Sequence, residues 1–124
     1  MPTSQGFRGL RVYQLAFKLA MEIFNESKHF PPEEKYSLTD QIRRASRSVA
    51  TNIGEGYRRK QYPKMFVSKM SDADGEATET QVWPDFAEAC GYISKERLLE
   101  LRTAYEEVGR MLGGKIAHPE RFTR

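Results

Sequence analysis

The chain has 124 residues, 30% of them charged and 39% hydrophobic, and a net charge of +3. That length suits one domain with its own core, and the composition fits an amphipathic helical protein rather than a disordered chain. A single cysteine, Cys90, excludes an intramolecular disulfide and a cysteine-rich metal site, and no apolar run approaches the ~20 residues of a membrane span.

Met1 to Gly9 lack the apolar segment of a secretory signal, so a cytoplasmic location without membrane contact is expected. From about Leu10, the residues Tyr13, Ala16, Phe17, Ala20, Ile23 and Phe24 follow the i, i+3, i+4, i+7 spacing of a helix. Val12, Leu15 and Leu19 fall beside that stripe and widen the apolar arc to roughly 240°, beyond the usual single face. Arg11, Gln14, Lys18, Glu22 and Asn25 form the remaining polar strip. So apolar a helix calls for cover on more than one side, which makes Val12, Leu15 and Leu19 candidates for an interface with a second subunit. Phe30-Pro31-Pro32 ends the segment, since proline disfavours helix in the residue before it.

Glu33 and Glu34 suit the start of a second helix, where acidic side chains meet the positive end of the dipole. Leu38, Ile42, Ala45, Val49 and Ile53 make a narrow apolar stripe, with Asp40, Arg43, Arg44 and Arg47 away from it. Gly54 and Gly56 bracket Glu55, and the helix is expected to loosen or end near Tyr57. Pro63 opens a third helix from the first turn, where its missing N–H costs nothing. Phe66, Met70, Ala73, Ala77 and Thr80 mark one of its faces. Pro84 predicts a kink or break near residues 80–84. Gly91 and Ser94 read as a C-terminal glycine and a new N-cap. Leu98, Leu101, Tyr105, Val108 and Leu112 then give a fourth helix with the narrow seam of bundle packing, ended by Gly113-Gly114. The expected fold is all-α, an antiparallel up-down-up-down four-helix bundle. It spans 1–124 as one domain, with helices at about 10–29, 35–57, 63–90 and 95–113 and a loose tail over 114–124.

A search for chemistry finds no catalytic set, metal site or cofactor motif. His29 and His118 have no partner at helical ligand spacing, and Cys90 reads as a small core residue near a helix C-terminus. Asp72, Asp74, Glu76 and Glu79 form an acidic run without the helical histidines of a di-metal bundle. Gly54-Glu55-Gly56 lacks the strand and lysine of a phosphate loop. Charge is uneven, however. Residues 1–70 hold 13 basic and 6 acidic side chains, whereas residues 71–124 hold 7 and 11. Arg43, Arg44 and Arg47 lie within about one turn, and Arg58, Arg59, Lys60 and Lys64 follow. Guanidinium pairs with phosphate through two parallel hydrogen bonds, and the flanking Tyr57 and Tyr62 are of the type that stacks on unpaired bases.

Several pieces carry a resemblance. Phe30-Pro31, Glu34, Tyr36, Leu38 and Thr39 precede Gln41-Ile42-Arg43-Arg44-Ala45, followed by Ser48-Val49 and Asn52-Ile53-Gly54-Glu55-Gly56-Tyr57. Asp74-Gly75-Glu76-Ala77-Thr78-Glu79-Thr80-Gln81-Val82-Trp83 and Cys90-Gly91-Tyr92-Ile93 come later. From about Phe7 to Leu112 the chain resembles the four-helix bundle family encoded in intervening sequences of bacterial large-subunit (23S) ribosomal RNA genes. It is also similar to the accessory protein of diversity-generating retroelements. The resemblance implies a ring-shaped homopentamer, and for the second protein an association with nucleic acid and a reverse transcriptase. It implies no catalytic residues. Arg43, Arg44 and Arg47 match the family's basic helix positions. Asn52 and Glu55 match its polar motif, with Asn52 expected on neighbouring backbone and Glu55 on an arginine. Pro84 and Gly54 depart from the family pattern.

Two functions are therefore expected to compete. One is a non-catalytic homo-oligomer binding RNA or DNA through its arginines. The other is a protein-interaction scaffold in which Arg43 or Arg47 meets Asp72, Glu76 or Glu79 within or between subunits.

Overall fold

The structure is a computed structural model and describes residues 2–122. Four helices carry the fold: α1 (Arg11–Ser27), α2 (Asp40–Arg58), α3 (Pro63–Ala89) and α4 (Lys95–Ala117). Short 3₁₀ segments cover Pro2–Gly9, Pro32–Glu34 and Pro119–Arg121, and a π-helical turn, Lys35–Thr39, leads into α2. Each helix packs on its neighbours in the chain, and α1 closes the square by packing on α4. No strand occurs among the described residues, and none of their helices is long and apolar enough to cross a membrane.

Polar ties join successive helices. Arg43 Nε at the start of α2 donates to Ser27 Oγ at the end of α1 (2.7 Å). Lys69 of α3 meets Glu55 of α2 at 2.9 Å, and Arg102 of α4 meets Asp85 of α3 at 3.2 Å. Arg97 joins the first and last helices through Glu22 (2.8 Å) and Glu26 (3.6 Å), so the polar strip of α1 is spent partly on α4. At the bundle end, the Tyr92 hydroxyl donates to Glu34 (2.7 Å) and its ring lies 5.7 Å from that of Phe30.

The core face of α1 is not the stripe expected. Val12, Ala16, Leu19 and Ile23 point inward, at 2%, 0%, 3% and 1% exposure, while Tyr13 and Phe24 are only half-buried and Phe17 is exposed. Val12 and Leu19 are thus interior residues of one chain and Leu15 is half-buried, so the three do not form the open face expected of a subunit interface. The physical reason is size. Ala16 and the short branched Val12 and Ile23 permit close helix approach, and the larger rings are displaced to the flank.

Other boundaries also shift. Of the kink or break expected near Pro84, the break does not occur: α3 runs from Pro63 to Ala89 as one helix. Ala77, Thr80, Pro84 and Ala87 form one buried stripe at steps of three and four, so a break would remove the stripe from the core. Contacts along that stripe offset the ~3 kcal/mol cost of an interior proline. α2, by contrast, is helical through Gly54 and Gly56 and ends at Arg58, next to the end expected near Tyr57. α4 continues past Gly113-Gly114 to Ala117, and Ile116 and Phe122 pack on the core, with Lys115 Nζ 3.9 Å from the Phe122 ring centroid. The expected loose tail is therefore anchored as far as Phe122, and residues 123 and 124 lie outside the described residues. Cys90 is exposed at the C-cap of α3 instead of buried, because it falls off the buried stripe of Thr80, Pro84 and Ala87.

α2 and α3 approach each other closely at Gly56. A Cβ there would lie 2.6 Å from Met70 Cε and 2.9 Å from Lys69 Cβ, whereas nothing lies within 4 Å of one at Gly75. Gly56→Ala is expected to lower stability by ~1–3 kcal/mol through overpacking, while Gly75→Ala gains up to ~1 kcal/mol from helix propensity; urea unfolding of both checks the opposite signs.

The Glu34–Tyr92 bond also predicts a pH response. Hydrogen bonds from Ser37 and then Tyr92 hold Glu34 below its ordinary value of 4.5, so its contribution is present above that pH and lost as pH falls. The bond to Glu34, aided by burial, pushes Tyr92 from 10.0 up to about 12, so its contribution is intact below pH 10 and lost as pH rises towards 12. In Tyr92→Phe, the decline of the unfolding midpoint on both the acid and alkaline limbs should become shallower.

Candidate nucleic-acid interface

The site begins with the rotation of α2. Ile42, Val49 and Ile53 turn inward, which leaves Arg44, Arg47, Thr51, Glu55 and Arg58 exposed along the outer side at steps of three and four. Arg44 and Arg58 are separated by ~21 Å along the axis at 1.5 Å per residue. A shallow cleft of about 400 Å³ holds Asp40, Arg43, Arg44, Arg47, Ser48 and Thr51. None of the expected basic residues, Arg43, Arg44, Arg47, Arg58, Arg59, Lys60 and Lys64, forms an ion pair among the described residues. Within one chain, then, Arg43 and Arg47 do not meet Asp72, Glu76 or Glu79.

These residues do not share one role. Arg43 is half-buried: it bonds Ser27, and its guanidinium lies 4.8 Å from the Phe24 ring centroid. Arg47 approaches the same ring at 5.7 Å but stays exposed, as does Arg44. Beyond the helix end, Lys60 folds onto Tyr57, 4.3 Å from the ring centroid and 3.1 Å from its hydroxyl. Arg58, Arg59, Tyr62 and Lys64 remain exposed. Asn52 Nδ2 donates to the Ser48 carbonyl (2.9 Å), on backbone as expected, although the helix there is intact. Glu55 pairs with Lys69 and not with an arginine, because the close approach at Gly56 brings Lys69 alongside.

Sequence reasoning missed the aromatic side of this site. A groove of about 530 Å³ separates α1 from α2, walled by Phe7, Tyr13, Phe17 and Met21 and flanked by Arg47 and Arg58. The rings form a ladder: Phe7 stands edge-on to Tyr13 at 5.0 Å, and Tyr13 lies 6.2 Å from Phe17. Phe7 also packs against Gly54, where a Cβ would stand 3.3 Å from its ring. The spacing of Tyr13, Phe17 and Phe24 puts them on one flank of a helix, but the same spacing is equally consistent with a core stripe.

The opposite side of the square differs. Val82 and Phe86 of α3 and Leu99 of α4 are exposed, near acidic residues that include Asp85, Glu96 and Glu100. In the acidic run, burial and then the charges of Glu79 and Asp72 push the Glu76 carboxyl above its ordinary range. Among the described residues, no three His, Cys, Asp or Glu side chains gather in a way that would hold a metal.

These features define a four-helix bundle with a basic face bordered by aromatic rings. The chain belongs to the 23S rRNA-intervening sequence protein family, whose pattern matches residues 8–114. Among solved structures it is similar to a protein of unknown function from the S23 ribosomal protein family of Bacteroides thetaiotaomicron. The two are 27% identical, with a TM-score of 0.76, over 85% of this chain and 97% of that one. No curated protein matches the sequence.

The division of labour among the arginines is measurable. Arg43→Ala should lower stability by ~1–2 kcal/mol, since it removes a charged hydrogen bond and the cover of Phe24. Arg44→Ala, on exposed surface, should change it by less than ~0.5 kcal/mol; thermal unfolding of the two variants distinguishes the roles.

Proposed function

We propose that the protein is a non-catalytic, homo-oligomeric helical bundle, assembled as a pentamer, that binds RNA or DNA through the arginine-rich outer face of α2. The observation that carries this reading is the line of Arg44, Arg47 and Arg58, exposed and without carboxylate partners among the described residues. Unpaired guanidiniums along one helix suit a phosphate backbone, where each contact releases condensed counterions. Self-association is supported by the apolar side chains left open on the far side of the bundle, Val82, Phe86 and Leu99. The subunit number rests on the resemblance to the intervening-sequence proteins and to the retroelement accessory protein. A contact on the α3–α4 side leaves α2 free for nucleic acid.

A second reading assigns the arginines to contacts with another subunit. It is favoured by Asp72 on α3, which is exposed and, like the arginines, has no ion-pair partner among the described residues.

The double variant Arg44→Glu/Arg47→Glu separates the two, because it spares Arg43. On the first reading, affinity for a structured RNA falls at least about tenfold, the dependence of log affinity on log salt flattens by ~0.7–0.9 per lost phosphate contact, and the solution mass is unchanged. A fall in mass without nucleic acid supports the second reading. No binding by the unmodified protein at low salt overturns the first.

A further inference from the structure

We infer that the groove between α1 and α2 receives an unpaired base of single-stranded nucleic acid, stacked on Phe17, while Arg47 and Arg58 hold backbone phosphates of the strand on either side. The inference rests on the nucleic-acid reading above and narrows it to one class of ligand.

The aromatic ladder singles out Phe17. Phe7 is covered by the Arg8 guanidinium at 4.5 Å, and Phe24 is approached by Lys28, Arg43 and Arg47 at 4.8, 4.8 and 5.7 Å. No cation stands over Phe17 among the described residues, and it is 52% exposed. Its neighbour in the groove wall, Met21, is 45% exposed. Phe17 is therefore the open ring of the ladder, since Phe7 is covered and Tyr13 is half-buried between them.

Size and charge fit a nucleotide. The groove, at about 530 Å³, falls within the range of small-molecule sites. Its rim is basic, with the exposed Arg47 and Arg58 among its lining residues. Arg47 and Arg58 lie ~16 Å apart along α2, on either side of the groove's middle. The one acidic residue between them, Glu55, is held by Lys69 at 2.9 Å, so it opposes a phosphate less than a free carboxylate would. Gly54 and Ala50 keep the α2 wall low, and Phe7 rests on Gly54.

Stacking selects the strand state. A base within a duplex has both faces covered and shows a protein only its edges and phosphates, whereas an unpaired base presents a face to an open ring. The α2 arginines alone would bind either form through phosphate. Only the ring distinguishes them.

The test compares a short fluorescein-labelled oligouridylate with an RNA duplex of the same length by anisotropy. Binding is measured for the unmodified protein, Phe17→Ala, Phe17→Trp and Arg44→Glu/Arg47→Glu. The inference expects tighter binding of the single strand, and a loss of about fivefold to a hundredfold in Phe17→Ala for the single strand alone. Phe17→Trp should retain that affinity, because a ring is restored. If Phe17→Ala leaves single-strand binding unchanged, or weakens both ligands equally while the arginine variant still weakens both, the inference fails and the nucleic-acid reading stands. If the unmodified protein binds neither ligand at low salt, both fail. If Phe17→Ala lowers the solution mass without nucleic acid, the groove is a contact between copies and the inference is overturned.

Discussion

The approach of α2 to α3 at Gly56 leaves no room for a side chain on that face of α2. Met70 and Lys69 press against a position that has none, so that face is committed to α3. Ile42, Val49 and Ile53 lie inward with it, at 2%, 0% and 0% exposure. The arginines, placed by the helical period on the other side, stand outward. The face of α2 committed to the core thus leaves its arginines to meet the surroundings.

The packing of α1 follows from the other flank of α2. Phe7 rests on Gly54, and Arg43 reaches back to Ser27, so the two helices are clamped near both ends. Between the clamps the rings of Tyr13 and Phe17 are too large for the interface and stand beside it. The groove is the space left when Ala20, Ala50 and Gly54 line a seam whose neighbours are aromatic. Packing therefore shapes the groove: small residues that bring the helices together also leave the rings partly uncovered.

Charge is divided unevenly. Among the helices, α2 is net basic, with four arginines against Asp40 and Glu55, and its neighbour α3 is net acidic, whereas α1 is balanced and α4 carries one net positive charge. Most charged residues inside the bundle's seams are already committed: Arg97 to α1, Lys69 to Glu55, Arg102 to Asp85. The arginines of α2 and of the turn after it have no carboxylate partners among the described residues. A polyanion approaching the molecule meets that side with its guanidiniums unneutralised. One interior group is also left without a partner among the described residues, the hydroxyl of Tyr105, whose burial pushes its pKa up. It lies on the core seam of α4 and has no part in the basic face.

Much of the fold was legible in the chain itself. Leu98, Leu101, Tyr105, Val108 and Leu112 have one inward solution at helical spacing, and Ile42, Val49 and Ile53 nearly so, because each stripe is narrow and polar residues bound it. The basic cluster on α2 was legible for the same reason. The face of α1 was not, since an apolar arc of roughly 240° admits several inward directions and local periodicity ranks them equally. Only the neighbouring helices, by the room they leave for Ala16 and deny to Phe17, chose among them. They moved Val12 and Leu19 from a supposed interface to the core. Pro84 and Gly113-Gly114 carry local breaking signals that tertiary packing overrode. Sequence determined which residues alternate between inside and outside; tertiary structure decided where α1's wide apolar surface was cut, and with it which rings face the arginines.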